Sequence, residues 1–287
     1  MKVLPTFLCA LLSYFPTEAK DAIQRRNARN EEEGSGAGQP EVADIVNGTA
    51  TGKPLPYQVG LTTNPGWSLE CGGSLIASRV VLTAAHCYIN KFGEFREPAL
   101  RIVQVNMYNA SNPDGVTFIN LNSGKIGRDI FTHPHYNPAT FANDVALLIL
   151  PVGLEEGDNI KYAKLNNDPN VPAADERLYA SGWGKIEEGG PSSDILLGTV
   201  VNYVPDDKCY KMWCDQNDDC PPMNATDGMM CAHTKGTDAC DADSGGPLVI
   251  ASKNENSPAT EPPRQKSASY LLEMIVRSRE FLEFTLV

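Results

Sequence analysis

From residue 45 to about residue 150 the apolar residues come in short runs, Y-Q-V-G-L, G-S-L-I, R-V-V-L-T-A, L-R-I-V-Q-V, V-T-F-I and V-A-L-L-I-L, broken by Gly, Pro and Asn. Regular short runs with turn residues between them fit strands, so this half predicts an all-β barrel or sandwich. The same pattern returns from about residue 161, through R-L-Y-A-S-G-W-G and G-T-V-V-N-Y-V to P-L-V-I at 247 to 250, and predicts a second barrel. With 287 residues, 41% of them hydrophobic and 21% charged, the chain is long enough to bury a core in each half.

The stretch D-A-C-D-A-D-S-G-G-P-L-V, residues 238 to 249, sets one serine between an acid and two glycines, just before a short apolar run. That places the hydroxyl of Ser244 on a tight turn, where a nucleophile would sit. A lone serine is a weak nucleophile and needs a base and an orienting acid. L-T-A-A-H-C at 82 to 87 offers His86, and N-D-V-A-L-L at 143 to 148 offers Asp144. Together with I-V-N-G at 45 to 48, C-G-G-S-L at 71 to 75 and S-G-W-G at 181 to 184, these strings stand in the order found in the trypsin-like serine proteases of the chymotrypsin fold. The chain resembles that family over about residues 45 to 250.

The resemblance implies two six-stranded antiparallel barrels, with the second incomplete after about residue 251. It implies that Ser244 is the nucleophile, His86 the general base and then acid, and Asp144 the group that orients the imidazole. The backbone amides of Ala242 and Ser244 would form the oxyanion hole. The family carries glycine where this chain has Ala242, and a Cβ there opposes a positive φ. Asp238 matches the base of the specificity pocket and implies cleavage after Lys or Arg. Family members are activated by a cut that frees an isoleucine amine, here Ile45, which pairs with the acid beside the nucleophile, here Asp243. The residue before Ile45 is Asp44 rather than the family's usual Arg or Lys, so self-activation by a tryptic cut is not expected.

Of the eight cysteines, Cys9 lies in the leader, which leaves an odd number. The resemblance implies Cys71–Cys87 and Cys209–Cys231 bridges. Cys214 and Cys220 have no family counterpart and, six apart in a polar loop, can bridge each other. Cys240 is left over, its family partner lying beyond the serine. The spacings lack paired C-x-x-C knuckles, so no metal is expected. His133 and His135, in T-H-P-H-Y-N-P, read as a plain turn, and His233 as an inert residue of a polar loop.

The formal charge of −12 argues against nucleic acid or an anionic membrane as a partner. Residues 1 to 19 have a lysine, then an apolar core, then a small residue at Ala19, and read as a secretory signal. Residues 20 to 44, charged and then Gly-rich, read as a propeptide, 45 to 252 as the protease domain and 253 to 287 as an atypical tail with helix-like apolar spacing from 270 to 284. Sequons stand at Asn47, Asn109 and Asn224. The expectation is a secreted endopeptidase that needs no cofactor, acts on protein or peptide substrates and meets an activating protease and protein inhibitors. The alternative is a catalytically impaired or inactive homologue that acts by binding.

Overall fold

The computed structural model describes residues 48–64, 69–166, 168, 170–186, 190–205, 207–209, 211, 230–234, 243–251 and 271–272. The short apolar runs are strands. After β1 (Thr49–Ala50), which joins the second sheet, come β2 (Gln58–Thr62), β3 (Cys71–Ala77), β4 (Val80–Thr83), β5 (Ile102–Val105), β6 (Thr117–Asn120), β7 (Ile130–Thr132) and β8 (Ala146–Ile149). These seven form one sheet in the order β6-β5-β2-β3-β4-β8-β7, with every pairing antiparallel. Its two edge strands, β6 and β7, are consecutive in the chain and joined only by residues 121–129. So short a link requires the sheet to curl until its edges approach, and curling removes the exposed edges a flat sheet would present.

Strand alternation then divides the side chains between two cores. Val59 and Leu61 of β2, Val81 of β4 and Ala146 and Leu148 of β8 point into the curled sheet, around Tyr88, Leu100 and Ile130. Their neighbours Leu82 and Leu147 point the other way and meet Tyr179, Trp183, Leu196 and Val249 of the second half. This is why all five residues of β2 are buried: Gln58 faces the second half, where its amide donates to Ser181 O at 3.3 Å and its Oε1 accepts from Ser181 Oγ at 2.7 Å. A buried polar pair satisfied in this way adds direction to an otherwise apolar interface.

The link that joins the edges is held by one acid. Asp129 is 6% exposed, and its carboxylate accepts from Ser123 N (2.6 Å), Ser123 Oγ (2.7 Å), Gly124 N (3.0 Å) and Lys125 N (3.0 Å). Burial opposes ionisation, but these four donors outweigh it and hold the carboxyl below the usual aspartate range. Burial, and then the charge of Asp129, push the phenol of Tyr88 up, so that it stays protonated and donates to Leu100 O at 3.1 Å. Because the folded state favours the ionised form of Asp129, the stabilisation it gives is present above the unfolded aspartate value of about 4 and is lost as pH falls through the lower folded value. Asp129→Asn sets an amide NH₂ against amide donors and is expected to cost about 2 to 4 kcal/mol at pH 7. Urea unfolding of both proteins from pH 7 to pH 3 checks this: the gap should narrow on acidification, and a gap independent of pH would contradict it.

The second sheet contains β9 (Lys164–Leu165), β10 (Arg177–Gly182), β11 (Leu197–Val204), β12 (Cys231–His233), β13 (Leu248–Ile250) and β14 (Leu271–Leu272). Its order is β1-β11-β10-β13-β14-β9, with β12 also on β11. The molecule is thus all-β, and among the described residues each sheet has seven strands where six were expected; two-residue strands raise the count in the second. The chain also re-enters this sheet beyond residue 251. Leu272 pairs antiparallel with Val249, and Leu271–Leu272 run parallel to Lys164–Leu165. The apolar spacing from 270 predicts helix, but at these two residues hydrogen bonding to a strand on each side overrides local spacing. His233, expected in a loop, lies on β12, opposite Asn202.

Candidate active site

His86 sits in a single 3-10 turn, Ala85–Cys87, that ends β4. Ala85, Cys87 and the following Tyr88 are buried, and Cys87 is bonded to Cys71 of β3 with S–S 2.00 Å. Anchoring the residues on both sides leaves the imidazole at the surface, 27% exposed. A histidine held by its neighbours is positioned without being covered.

Asp144 fixes what remains free. Its Oδ1 accepts the His86 backbone N–H at 2.8 Å, and its Oδ2 lies 2.6 Å from His86 Nδ1. An ionised carboxylate only accepts, so the Nδ1 proton points to Asp144 and Nε2 is left with its lone pair outward. That tautomer can take a proton from a hydroxyl. The loop leading to Asp144 is turned by two left-handed residues, Phe141 (φ 57) and Asn143 (φ 57). Asparagine tolerates this region; phenylalanine is placed there at a cost of about 1 to 2 kcal/mol. The result is that the Phe141 ring stands edge-on to His86, with centroids 5.9 Å apart. The Asn143 amide donates to His135 O at 3.1 Å and holds the bend. No sequence motif pointed to Phe141.

Ser244 lies on a turn closed by Gly246 N donating to Asp243 O at 2.8 Å. The turn leans on the strands beside His86: Gly72 N of β3 donates to Ser244 O at 2.7 Å. Gly245 has φ +79, and a Cβ there would lie 2.3 Å from Thr83 Oγ1 and 2.9 Å from Ala84 N. Only glycine lets the turn approach the two residues that lead into the histidine turn. Beneath the serine, Asp243 Oδ1 accepts from Gly184 N at 2.8 Å. A Cβ on Gly182 or on Gly184 would come within 2.0 Å or 2.3 Å of that carboxylate, which explains both glycines of S-G-W-G. Ser244 Oγ makes no hydrogen bond among the described residues.

Cys209 and Cys231 are disulfide-bonded. Ile45, Asp238, Ala242, Cys214, Cys220 and Cys240 lie outside the described residues. His133 is buried, and its Nδ1 accepts from His135 N at 3.1 Å, as a turn residue would. Among the described residues the one cluster of metal-ligand types is Cys71, His86 and Cys87. Its two sulfurs are joined to each other, so it offers no thiolate.

A family model described as Trypsin matches residues 45–257. The chain is 32% identical to serine protease Hayan of Drosophila melanogaster over 226 residues, which are 74% of this chain and 33% of Hayan; it therefore spans about a third of that relative. It is 32% identical to the vitellin-degrading protease of Bombyx mori, over 69% of this chain and 68% of that protein. It is 35% identical to trypsin delta of Drosophila erecta, over 71% of this chain and 73% of that protein.

Proposed function

The chain belongs to the trypsin family of serine proteases, and we propose that it is a secreted endopeptidase that cleaves after Lys or Arg through Ser244, His86 and Asp144. The observation that carries this reading is the double hold of Asp144 on His86, through Nδ1 and the backbone N–H, beside a serine turn packed on Thr83 and Ala84. In the proposed mechanism His86 Nε2 takes the Ser244 proton as Oγ attacks the peptide carbonyl. It then returns the proton to the leaving amine, while Asp144 stabilises the imidazolium in between. The amides of Ala242 and Ser244 receive the oxyanion, and water completes the second half of the cycle.

Asp238 supplies the negative charge that selects Lys or Arg. Maturation frees Ile45, whose ammonium joins Gly184 N on the Asp243 carboxylate; because Asp44 precedes it, the activating protease does not have tryptic specificity. Residues 1 to 19 direct secretion, and Asn47, Asn109 and Asn224 are the glycosylation sites. Among the described residues no helix is long and apolar enough to cross a membrane. Partners are protein or peptide substrates, the activating protease and protein inhibitors.

A second reading, a non-catalytic homologue that acts by binding, is favoured by the absence of a hydrogen bond on Ser244 Oγ among the described residues and by Ala242 in the place of glycine. Peptide amides that differ only in the residue before the cleaved bond separate the two. With the chain matured at Ile45, Lys and Arg substrates should exceed Leu and Ala substrates at least about a hundredfold in kcat/KM. Asp238→Ser should remove most of that preference. An unchanged preference in Asp238→Ser would overturn the pocket assignment, and no turnover of any substrate would favour the second reading.

A further inference from the structure

On a chain of net charge −12, the link 121–129 is an exception. It carries Lys125 and Arg128, both exposed, and Arg101 stands against it. Leu121 N donates to Arg101 O at 2.8 Å, and the ideal Cβ position of Gly124 (φ +58) is only 2.0 Å from Arg101 Cδ. The Arg101 stem therefore lies in space that only a glycine leaves open. Among the described residues none of the three cations has an acidic partner within ion-pair distance.

Nearby acids in the sequence do not pair with them. Glu97, four residues before Arg101, makes no ion pair among the described residues, and between residues 99 and 143 the chain has two acids, Asp114 and Asp129. Asp114 lies beyond the far end of the β5–β6 hairpin, since Val105 pairs with Thr117 there while Ile102 pairs with Asn120 at the Arg101 end. Asp129 is buried beneath the link with four donors on its carboxylate. Strands β5, β6, β7 and β8 contain no charged residue. Between Lys125 and Arg128 stands Ile126, 43% exposed, and Phe131 in the middle of β7 is 37% exposed.

Three cations with no ion-pair partner among the described residues, with the exposed Ile126 between two of them in the chain and the exposed Phe131 just after Asp129, on a backbone fixed by Asp129, make a preorganised surface, which lowers the ordering cost of binding. The geometry points to a docking surface for an acidic peptide segment of a partner protein, with apolar residues among its carboxylates. Charge complementarity selects the acid, and Ile126 and Phe131 receive the apolar side chains. A long polyanion fits less well, because beyond this small patch it would run over an acidic surface.

The test is fluorescence anisotropy with the full chain and a labelled glutamate-rich peptide containing interspersed leucines, beside a glutamine-for-glutamate copy, a sulfated oligosaccharide and vesicles containing phosphatidylserine. The acidic peptide should bind, and the glutamine copy should bind about tenfold more weakly or less well still. The triple variant Arg101→Gln, Lys125→Gln, Arg128→Gln should lose binding by a similar factor with an unchanged unfolding midpoint. Ile126→Ser should weaken binding at high salt, where the charge contribution is screened. Equal binding by the wild-type and triple-variant proteins, no binding of the acidic peptide, or charge-dependent binding of the oligosaccharide or vesicles alone would each overturn the proposal.

Discussion

Alanine at Ser244 should lower kcat on a Lys or Arg amide by about 10⁴ to 10⁶-fold while leaving the fold in place. The expectation rests on what the side chain does and does not touch. The serine turn is held through backbone groups, Gly72 N on Ser244 O and Gly246 N on Asp243 O, and neither involves Oγ. Removing the hydroxyl therefore removes the proposed nucleophile and little else. A stopped assay on the matured chain gives the rate, and urea unfolding gives the control, which should shift by no more than about 0.5 kcal/mol. A variant within about tenfold of wild type would mean that the hydrolysis has another source.

Asparagine at Asp144 should cost about 10⁴-fold in kcat at neutral pH, with KM little changed. Asparagine can still accept the His86 backbone N–H as Asp144 Oδ1 does at 2.8 Å, so the loop keeps its anchor. The other half of the amide is a donor, however, and it faces Nδ1 where Asp144 Oδ2 lies at 2.6 Å. The ring then answers by placing its proton on Nε2, where a base is needed. Steady-state kinetics on Asp144→Asn and His86→Ala decide the point: losses of the same order fit one linked system, whereas a loss under about tenfold for Asp144→Asn would leave the aspartate with a purely structural role.

Much of this site could be read from short strings because each group is carried by a tight local arrangement. His86 needs its buried neighbours Ala85 and Cys87, and Ser244 needs Gly245 at positive φ, so the residues around each reactive group are as constrained as the group itself. What could not be read depends on contacts between distant segments. S-G-W-G marks the family in the sequence, but why it needs two glycines is seen only when Asp243 is found to occupy the space that Cβ atoms on Gly182 and Gly184 would need. S-G-K-I-G-R-D carries no motif, yet its aspartate is buried and fastens the first sheet at its seam. Phe141 carries no sign in the sequence that its backbone turns left-handed and sets its ring against His86. Leu271–Leu272 misled for the opposite reason: their apolar spacing suits a helix, and only pairing to β13 and β9 makes them a strand.

The most direct measurement on the central claim is covalent labelling of the matured chain with a fluorophosphonate, followed by mass mapping of the modified peptide. The reagent reacts with a serine only when a base withdraws its proton and an oxyanion hole receives the developing charge. The account predicts a single adduct on Ser244 that is abolished by His86→Ala. An adduct on another residue, or labelling of Ser244 undiminished in His86→Ala, would contradict it.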